Sequence, residues 1–482
     1  ADGTVITHKA FLEMAAKIAH ALIAAGLAPG DRLAAQVQKS PEALALYAAC
    51  VQAGIIFLPL NTAYTVDELT YFIENSGARM VVCDATAAPG LNPIVDRLSG
   101  QLETLNADGS GTLPQCAQTQ PNHFPTTPRS EDDLAAFLYT SGTTGRSKGA
   151  MLTQGNLLHN AITLTQVWQF TETDILLHAL PIFHTHGLFV ATNVSLATGG
   201  SMIFLPKFDL ETVLRLLPQA TAMMGVPTFY TRLLDDPRLT SDLTEHMRLF
   251  ISGSAPLLAE THTQFHGRTG HHILERYGMT ETNMNTSNPY DGERRPGTVG
   301  FALPGVELKI TDPETGQPVP QGEVGQIEVR GPNVFKGYWQ MPEKTAEELR
   351  PDGFFITGDL GRTDEDGYIH IVGRNKDLII SGGYNIYPKE IELLLDAQPA
   401  VLESAVIGVP HADFGETVVG ILVPRPGETP DLDAITNTTA ASLARFKQPK
   451  KLILVDSLPR NTMGKVQKNI LRDTYKDLFA PA

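Results

Sequence analysis

Cysteine is scarce in this sequence. The 482 residues include three cysteines, Cys50, Cys83 and Cys116, which lie far apart and lack the spacing of metal ligands. A dispersed, odd-numbered set of this kind argues against a disulfide framework and against a cysteine-bound metal. We therefore expect ordinary free thiols in a reducing compartment.

Long apolar runs and an excess of positive charge are also missing. No run approaches the roughly 20 apolar residues that cross a bilayer, so we predict no membrane-spanning segment. The 37 Lys and Arg against 53 Asp and Glu give a net charge of −16, which argues against a general nucleic-acid or membrane-surface partner. An anionic ligand must therefore be captured locally. The chain starts at Ala1 without a Met or a signal-like sequence, so we expect a processed or trimmed N-terminus and a cytoplasmic protein.

What the sequence does contain is a regular alternation of helical and strand-like segments. Apolar residues at helical spacing from Phe11 to Leu27 precede the strand-like "RLAAQV". The pattern recurs in "PEALALYAACVQAG" with "IIFLPL" and in "DLETVLRLLPQA" with "TAMMGV". Such alternation predicts an α/β fold with parallel sheets covered by helices.

The pattern changes twice along the chain, which indicates domain boundaries. After about Phe301 the strands are short and separated by Gly turns, as expected of an antiparallel module. From Lys376 onward strands and helices of a small α+β domain follow. We therefore predict a large N-terminal domain over residues 1–375, with a β-rich subdomain at about 301–375, and a small C-terminal domain over residues 376–482.

The stretch "YTSGTTGRSKGAML" at 139–152 is the first candidate binding site. The buried strand "LAAFLY" precedes it and the helix-like "QGNLLHNAITLTQVW" follows it. Strand, glycine-rich loop, Lys148 and helix together suit a phosphate site, since backbone N–H groups, hydroxyls and one cation point at the anion. It is not a Walker A loop, because Gly142 and Gly145 are too close and Gly149 follows Lys148. A mobile surface loop is the alternative.

Seven more segments accompany this loop, and together they resemble the adenylate-forming enzymes over essentially the whole chain. That superfamily includes acyl-CoA synthetases, peptide-synthetase adenylation domains and firefly luciferase. The matching segments occur in the family's order. They are "FHTHG" (183–187), "SGSAPL" (252–257), "ERYGMTET" (275–282), "RRPGTVG" (294–300), "FFITGDLG" (354–361), "IVGRNKDLIISGGYNIYPKEIE" (371–392) and "PRNTMGKVQK" (459–468).

The resemblance implies that ATP and a carboxylate react to an acyl-adenylate and pyrophosphate, and that coenzyme A then takes the acyl group. The glycine-rich loop is expected to bind the β- and γ-phosphates, and two further motifs are expected to line the adenine pocket. The phosphate residues are Thr140, Ser141, Gly142, Thr143, Thr144, Gly145 and Lys148. The nucleotide-pocket residues are Gly253, Ser254, Ala255, Pro256, Glu275, Arg276, Tyr277, Gly278 and Met279.

The reacting centre is also implied by resemblance. Thr280 is expected at the α-phosphate, and Glu281 is expected to hold Mg²⁺, a cation that prefers carboxylate and phosphate oxygens. Asp359, expected at a turn after a strand, and Arg374 are assigned to the ribose. Lys465 is the expected catalytic lysine, bridging the substrate carboxylate and the α-phosphate, with His184 as a further catalytic candidate.

The second half-reaction implies motion of a mobile C-terminal domain. One lysine cannot stay at the carbonyl that the thiol must later approach, so a rotation is expected, with its hinge at Lys376. The rotation brings Gly382, Gly383 and Tyr384 to coenzyme A. Because relatives are acylated on the lysine of the last motif, a lysine acetyltransferase and deacetylase acting on Lys465 form a further hypothesis.

The substrate is expected to be a short dicarboxylate such as malonate, with methylmalonate as a second candidate. Peptide synthetases carry an Asp where this chain has His184, so an amino-acid substrate is disfavoured. A fatty-acid tunnel needs apolar walls, whereas the segments expected to line the substrate pocket, such as "FHTHG" and "RRPGTVG", contain polar and charged residues. Arg294 is the first choice for the distal carboxylate, since a guanidinium binds a carboxylate with two parallel hydrogen bonds. Arg295, Arg232 and His184 remain rivals.

Two alternatives differ from this interpretation. A synthetase for acetate or another short monocarboxylate would not need the extra arginine. A non-catalytic nucleotide-binding protein of the same fold would keep the adenine and ribose residues without needing Glu281 or Lys465. Both of those residues are present, which favours catalysis.

Overall fold

The computed structural model describes residues 3–140, 147–382, 384–411, 413–461 and 464–479. Their contacts divide the chain into two compact units. The first unit consists of Ala1–Glu307 and Val329–Phe355, and the second of Leu308–Glu328 and Ile356–Ala482. Residues 356–375 thus group with the C-terminal residues, whereas the sequence pattern assigns them to the N-terminal domain. The boundary at 375 stays a prediction.

The first unit begins with a six-stranded sheet in the order β4-β3-β1-β2-β5-β6. Its strands pair in parallel except for β5 and β6, which are antiparallel. The strands are β1 Arg32–Gln36, β2 Ile56–Pro59, β3 Met80–Cys83, β4 Gln101–Thr104, β5 Leu134–Thr140 and β6 Lys148–Thr153. The helices between them are α1 His8–Ala24, α2 Pro41–Ala53, α3 Val66–Ser76, α4 Ala88–Arg97 and α5 Thr112–Gln118.

A seven-stranded sheet follows in the order β13-β12-β11-β10-β9-β7-β8, parallel from β8 to β11 and antiparallel at β12 and β13. The strands are β7 Ile175–His178, β8 Ser201–Phe204, β9 Ala222–Gly225, β10 Leu249–Ser252, β11 Leu274–Met279, β12 Asn283–Ser287 and β13 Phe301–Ala302. The helices are α6 Gln154–Val167, α7 Asn193–Thr198, α8 Leu210–Leu216, α9 Pro227–Leu234, α10 Ser241–Thr244 and α11 Ala259–Thr269, with a π-helix at His186–Thr192 and a 3₁₀ turn at Leu217–Gln219.

Local sequence signals explain where these helices begin and end. Ser40 and Thr65 cap α2 and α3 by accepting backbone N–H groups, as short polar residues do at N-caps. Gly54 and Gly77 end the same helices in the left-handed conformation. The apolar strands then bury side chains such as Phe137 and Phe250 between the helices. The predicted α/β class with helix-covered parallel sheets is confirmed.

The second unit contains most of a four-stranded sheet and all of a five-stranded one. The strands of the first are β14 Glu307–Thr311, β15 Gly325–Arg330, β16 Phe355–Thr363 and β17 Ile369–Arg374, in that order across the sheet. The second has the order β19-β18-β21-β20 with β22 on β21, and consists of β18 Ile379–Ser381, β19 Tyr384–Ile386, β20 Val401–His411, β21 Gly415–Pro424 and β22 Lys451–Leu454. The helices are α12 Pro342–Glu348 in the first unit, then α13 Pro388–Asp396, α14 Leu432–Ser442 and α15 Lys468–Tyr475, with 3₁₀ turns at Asn375–Asp377 and Arg445–Lys447.

Across the ranges that the structure describes, none of the helices combines the length and the apolar character needed to cross a membrane.

Candidate active site

The glycine-rich loop joins two antiparallel strands. Thr140 ends β5, Lys148 begins β6, and the two are partners in the strand pairing. The expectation of a strand, a loop and then a helix was wrong, because β6 separates the loop from α6. The "GAML" that follows Lys148 is mostly buried and forms the edge strand of the first sheet instead of starting the helix. The predicted phosphate residues Ser141, Gly142, Thr143, Thr144 and Gly145 lie outside the described residues.

Lys148 lies in a network of buried and half-buried polar groups. Its Nζ is 3.1 Å from Oε1 and 3.2 Å from Oε2 of Glu348, and it lies 4.0 Å from the centroid of the Tyr338 ring. The Tyr338 hydroxyl lies 2.6 Å from Oε2 of Glu348 and 3.0 Å from Oε1 of Glu281. Burial, followed by the charge of Glu281, raises the pKa of Tyr338, so this hydroxyl keeps its proton and acts as a donor.

Glu281 occupies the turn between β11 and β12. The Thr140 hydroxyl donates to its Oε1 over 3.3 Å, so the strand that leads into the glycine-rich loop contacts the predicted metal ligand. Burial raises the pKa of Glu281. The carboxylate of Glu281 and the hydroxyl of Thr140 are oxygen ligands of the kind that a hard cation such as Mg²⁺ prefers. Thr280 lies in the same turn, beside Glu281.

Strand β11 places Arg276 in the interior. Arg276 is 3% exposed, and its Nε and Nη2 have no hydrogen-bond partner among the described residues. Burial lowers the pKa of Arg276 to about 9. A Cβ added to Gly253 would lie 2.4 Å from the Arg276 Cζ, so the glycine of "SGSAPL" makes room for this side chain. A buried cation of this kind calls for an anion.

The segment that leads into the π-helix carries two histidines, His184 and His186. His186 is the first residue of that helix, and its Nδ1 lies 3.1 Å from the Ser254 Oγ. Burial, and next the charge of Arg276, lower the pKa of His186, while burial lowers that of His184 to about 4. Both imidazoles are therefore neutral near pH 7. The Nε2 atoms of both histidines and the Oγ1 of Thr185 are buried without a partner in the described parts of the chain.

Gly187 explains why the "FHTHG" motif ends in glycine. A Cβ at this position would lie 1.9 Å from the Pro181 carbonyl oxygen. The Gly187 carbonyl also lies 3.0 Å from Nε2 of the buried His178, and the Lys39 Nζ is 3.0 Å from the other ring nitrogen. These contacts hold the segment that carries His184 and His186. Short π-helical turns of this kind are frequent at functional sites.

The arginine preferred from the sequence is already occupied. Arg294 donates to three backbone carbonyls, with its Nε 3.3 Å from Pro289, its Nη1 2.9 Å from His272 and its Nη2 2.9 Å from Tyr290. The rival Arg232 is exposed in the last turn of α9. The structure therefore does not favour Arg294 as the carboxylate ligand, and Arg276, which resemblance assigned to the adenine pocket, has the free donors instead.

The remaining nucleotide-pocket residues lie on the two segments that carry Gly253 and Arg276. Ser254 adopts φ +71 and Asn283 adopts φ +50, values that favour small polar residues in tight turns. A Cβ at Gly278 would lie 1.9 Å from the Asn283 carbonyl oxygen, so the bulge between Tyr277 and Gly278 needs the glycine. The other predicted residues of this group follow on the same two segments: Ala255, Pro256, Glu275 and Met279.

In the second unit, Asp359 and Arg374 are partners on adjacent strands. The expectation that Asp359 lies at a turn was wrong, because it is inside β16, which continues to Thr363. Arg374 Nε is 3.2 Å from Asp359 Oδ1, and Asp359 is buried. A buried carboxylate held by an arginine is suited to accept hydrogen bonds from the two ribose hydroxyls.

Lys465 lies near this pair. Its backbone N–H donates to Asn461 Oδ1 over 3.0 Å. Burial, followed by the charge of Arg374, lowers the pKa of the half-buried Lys465 to about 8. Because a buried ammonium loses hydration, its proton becomes easier to release, and the amine comes to titrate close to neutral pH.

The predicted hinge and coenzyme A residues follow β17. Lys376 lies in the 3₁₀ turn after Arg374. Gly382 is left-handed, with φ +57, and the exposed Tyr384 stacks on Phe446 with ring centroids 4.5 Å apart. Gly383 lies outside the described residues. The structure shows where these residues lie, and their roles stay predictions.

Sequence reasoning missed Tyr338 and Glu348. Neither belongs to a segment that resembles a family motif. Glu348 lies in "EKTAEEL", which has the composition of an ordinary solvated helix. No sequence signal distinguishes it from its neighbours, because its contact with Lys148 joins residues 200 positions apart.

Comparison with known proteins agrees with this architecture. The AMP-binding enzyme pattern matches residues 1–339, and the AMP-binding enzyme C-terminal domain matches residues 390–465. The chain therefore belongs to the AMP-binding enzyme family. The predicted enzyme class, an AMP-forming acyl-CoA ligase, is confirmed.

Particular members of the family are similar over nearly the whole chain. The ATP-bound crystal structure of MatB from Rhodopseudomonas palustris is 60% identical and has a TM-score of 0.98, covering 99% of this chain and 95% of that one. A feruloyl-CoA synthase of Amycolatopsis sp is 36% identical over 98% of this chain and 94% of its own. A malonate–CoA ligase of Arabidopsis thaliana is 34% identical over 94% of this chain and 79% of its own.

Proposed function

We propose that this protein is a malonyl-CoA synthetase, which converts malonate, ATP and coenzyme A to malonyl-CoA, AMP and pyrophosphate. The observation that carries the substrate is the buried guanidinium of Arg276, whose Nε and Nη2 have no partner in the described structure. The similarity to a malonate–CoA ligase supports the same substrate. Methylmalonate is proposed as a second substrate.

The charge at this site favours a dicarboxylate. One carboxylate of malonate must react at the α-phosphate, so the second must be accommodated elsewhere in the pocket. Arg276 can bind it with two parallel hydrogen bonds, and the neutral His184 and His186 can add donors without adding charge. A feruloyl group or a fatty acid would leave a buried guanidinium unpaired, which is unfavourable. Acetate would leave it unpaired as well.

The residues of the first unit suit the phosphates. Lys148 and the loop that starts at Thr140 are proposed to bind the β- and γ-phosphates, and Glu281 is proposed to hold Mg²⁺. When bound, Mg²⁺ would neutralise phosphate charge. Thr280 is proposed at the α-phosphate, where a malonate oxygen attacks and pyrophosphate leaves. Positioning and fixed charge supply most of the rate enhancement in reactions of this kind.

The second unit is proposed to supply the ribose site and the catalytic lysine. Asp359 and Arg374 would bind the ribose, and protonated Lys465 would bridge malonate and the α-phosphate. Rotation about Lys376 would then replace Lys465 by the segment that contains Gly382 and Tyr384, where the thiol of coenzyme A attacks the malonyl carbonyl and AMP leaves.

The proposed function is tested by pyrophosphate release with ATP and Mg²⁺, with and without coenzyme A. Malonate, methylmalonate, acetate, succinate, ferulate and a medium-chain fatty acid are compared. Malonate-dependent turnover that requires coenzyme A, with acetate, ferulate and fatty acid near background, is the expected result. Faster turnover with acetate or ferulate would refute the substrate, and no turnover with any acid would revive the nucleotide-binding alternative.

The titration of Lys465 predicts a pH dependence. The protonated lysine is the active form, and its pKa is lowered to about 8. The kcat/KM for adenylation should therefore be highest below about pH 8 and fall tenfold per pH unit above it, since this parameter reports the free enzyme. Thioester formation from supplied malonyl-adenylate does not need that proton and serves as the control. If the rates of both half-reactions fell at the same pH, the result would contradict the role of protonated Lys465 in adenylation.

Lys465 is also proposed as a target of a lysine acetyltransferase and deacetylase in the cytoplasm. Its half-buried amine, which titrates near neutral pH, offers a reactive unprotonated fraction. Acetylation removes the charge and should inactivate adenylation. Peptide mass spectrometry after treatment with an acetyltransferase would identify the modified lysine, and modification at other lysines alone would refute the proposal.

A further inference from the structure

The ammonium group predicted to bind ATP phosphates is already paired with a carboxylate. Lys148 is 8% exposed, and both oxygens of Glu348 lie within 3.2 Å of its Nζ. A buried ammonium without an anion is costly. Glu348 supplies that anion within the first unit.

Several contacts hold the Glu348 carboxylate in this position. Lys344, one helical turn earlier in α12, lies 3.1 Å from its Oε1, and the Tyr338 hydroxyl lies 2.6 Å from its Oε2. Burial alone would raise the pKa of Glu348. The hydrogen bonds from Tyr338 and Lys344 and the charge of Lys148 outweigh burial, so the net effect is a lowered pKa. Glu348 is therefore an anion near neutral pH.

We propose that Glu348 is an internal competitor for the polyphosphate of ATP and a determinant of its affinity. Two carboxylate oxygens on the ammonium occupy the position that two phosphate oxygens would take. ATP must exchange with Glu348 on Lys148, and pyrophosphate leaves as Glu348 returns. The carboxylate thus weakens nucleotide binding and assists product release. This proposal depends on the proposed function in one respect, which is that ATP is the ligand of Lys148.

Removing the charge of Glu348 should have two opposite effects. In Glu348→Gln, Lys148 keeps a hydrogen-bond acceptor but loses its counter-charge. The free protein should melt at a lower temperature, because a buried charge is left unpaired. ATP and pyrophosphate should bind about tenfold more tightly by calorimetry with Mg²⁺ and without malonate, since the competing anion is gone. Their stabilisation of the variant should exceed that of the wild type.

Ligands and a neighbouring residue supply the controls. AMP lacks the β- and γ-phosphates, so its affinity should be the same in both proteins. Glu347→Gln removes the adjacent carboxylate, whose side chain is 64% exposed and pairs with Lys344 at 2.7 Å. That variant should bind ATP and pyrophosphate as the wild type does.

The outcomes separate this proposal from the proposed function. Wild-type protein that binds neither ATP nor pyrophosphate would overturn both. Unchanged or weaker ATP binding in Glu348→Gln, with normal AMP binding, would overturn the competition alone. If Glu348→Gln folds poorly, Glu348→Asp keeps the charge but shortens the side chain. The affinity of Glu348→Asp for pyrophosphate should exceed that of the wild type and of Glu347→Gln by less than tenfold. A loss of affinity would refute the proposal.

Discussion

Replacing Lys465 by methionine should lower the rate of malonate-dependent pyrophosphate release by at least about 10²–10³-fold, the usual cost of one donor that stabilises developing charge. The methionine side chain is unbranched and only one atom shorter than that of lysine, but it carries no charge. Protonated Lys465 is the group proposed to bridge malonate and the α-phosphate, two anions that repel each other as they approach. Without it, the repulsion remains in the transition state and the barrier rises.

The same variant should keep the second half-reaction. In the proposed mechanism, thioester formation from supplied malonyl-adenylate and coenzyme A follows a rotation of the C-terminal residues that removes Lys465 from the carbonyl. Lys476→Met is a matched control, since Lys476 is exposed at the end of α15 and should leave both half-reactions unchanged. Equal loss of both half-reactions in Lys465→Met would indicate a structural role for this lysine.

The fold was largely predictable because its signals are local. Apolar runs and glycines at helix ends are read directly from neighbouring residues, and they locate α2 and β2 to within a few positions. Strand β6 was not predictable in this way. Six residues between a glycine-rich loop and a helix gave too little periodicity, and their strand character depends on pairing with β5.

Sequence motifs suggest part of the candidate site. They do not identify residues whose role depends on contacts between distant parts of the chain. Asp359, Glu281 and Lys465 are proposed as site residues from their neighbours in the chain, and their roles stay predictions. The choice between Arg294 and Arg276 cannot be made in this way, because both are arginines in polar segments. Only the fold reveals that backbone carbonyls occupy Arg294, while Gly253 leaves space for a buried Arg276.

Replacing Arg276 by methionine should change the substrate preference of the enzyme. The kcat/KM for malonate is expected to fall roughly 30-fold to several thousand-fold. This corresponds to a loss of about 2–5 kcal/mol in transition-state binding, as when one partner of a buried charge pair is removed. Acetate has no second carboxylate to lose, so its kcat/KM should stay the same or rise. The ratio of the two, measured by pyrophosphate release, is the informative quantity.

The free Arg276→Met protein should also be more stable than the wild type. Arg276 is a buried cation whose Nε and Nη2 have no partner in the described structure, and an apolar side chain of similar size avoids that desolvation cost. The melting temperature without ligand should therefore rise, and the stabilisation by malonate should disappear. Gain of stability together with loss of malonate use is the pattern of a residue kept for binding.

Arg294→Met is the matched control, and it should show the reverse pattern. Its guanidinium donates to the carbonyls of Pro289, His272 and Tyr290. Loss of these bonds should lower the free energy of unfolding by about 1 kcal/mol for each bond, and the melting temperature should fall with it. The malonate-to-acetate ratio should not move. A collapse of that ratio in Arg294→Met, with Arg276→Met unaffected, would return the distal carboxylate to Arg294. The two arginines are thus distinguished by the sign of the stability change as well as by substrate preference.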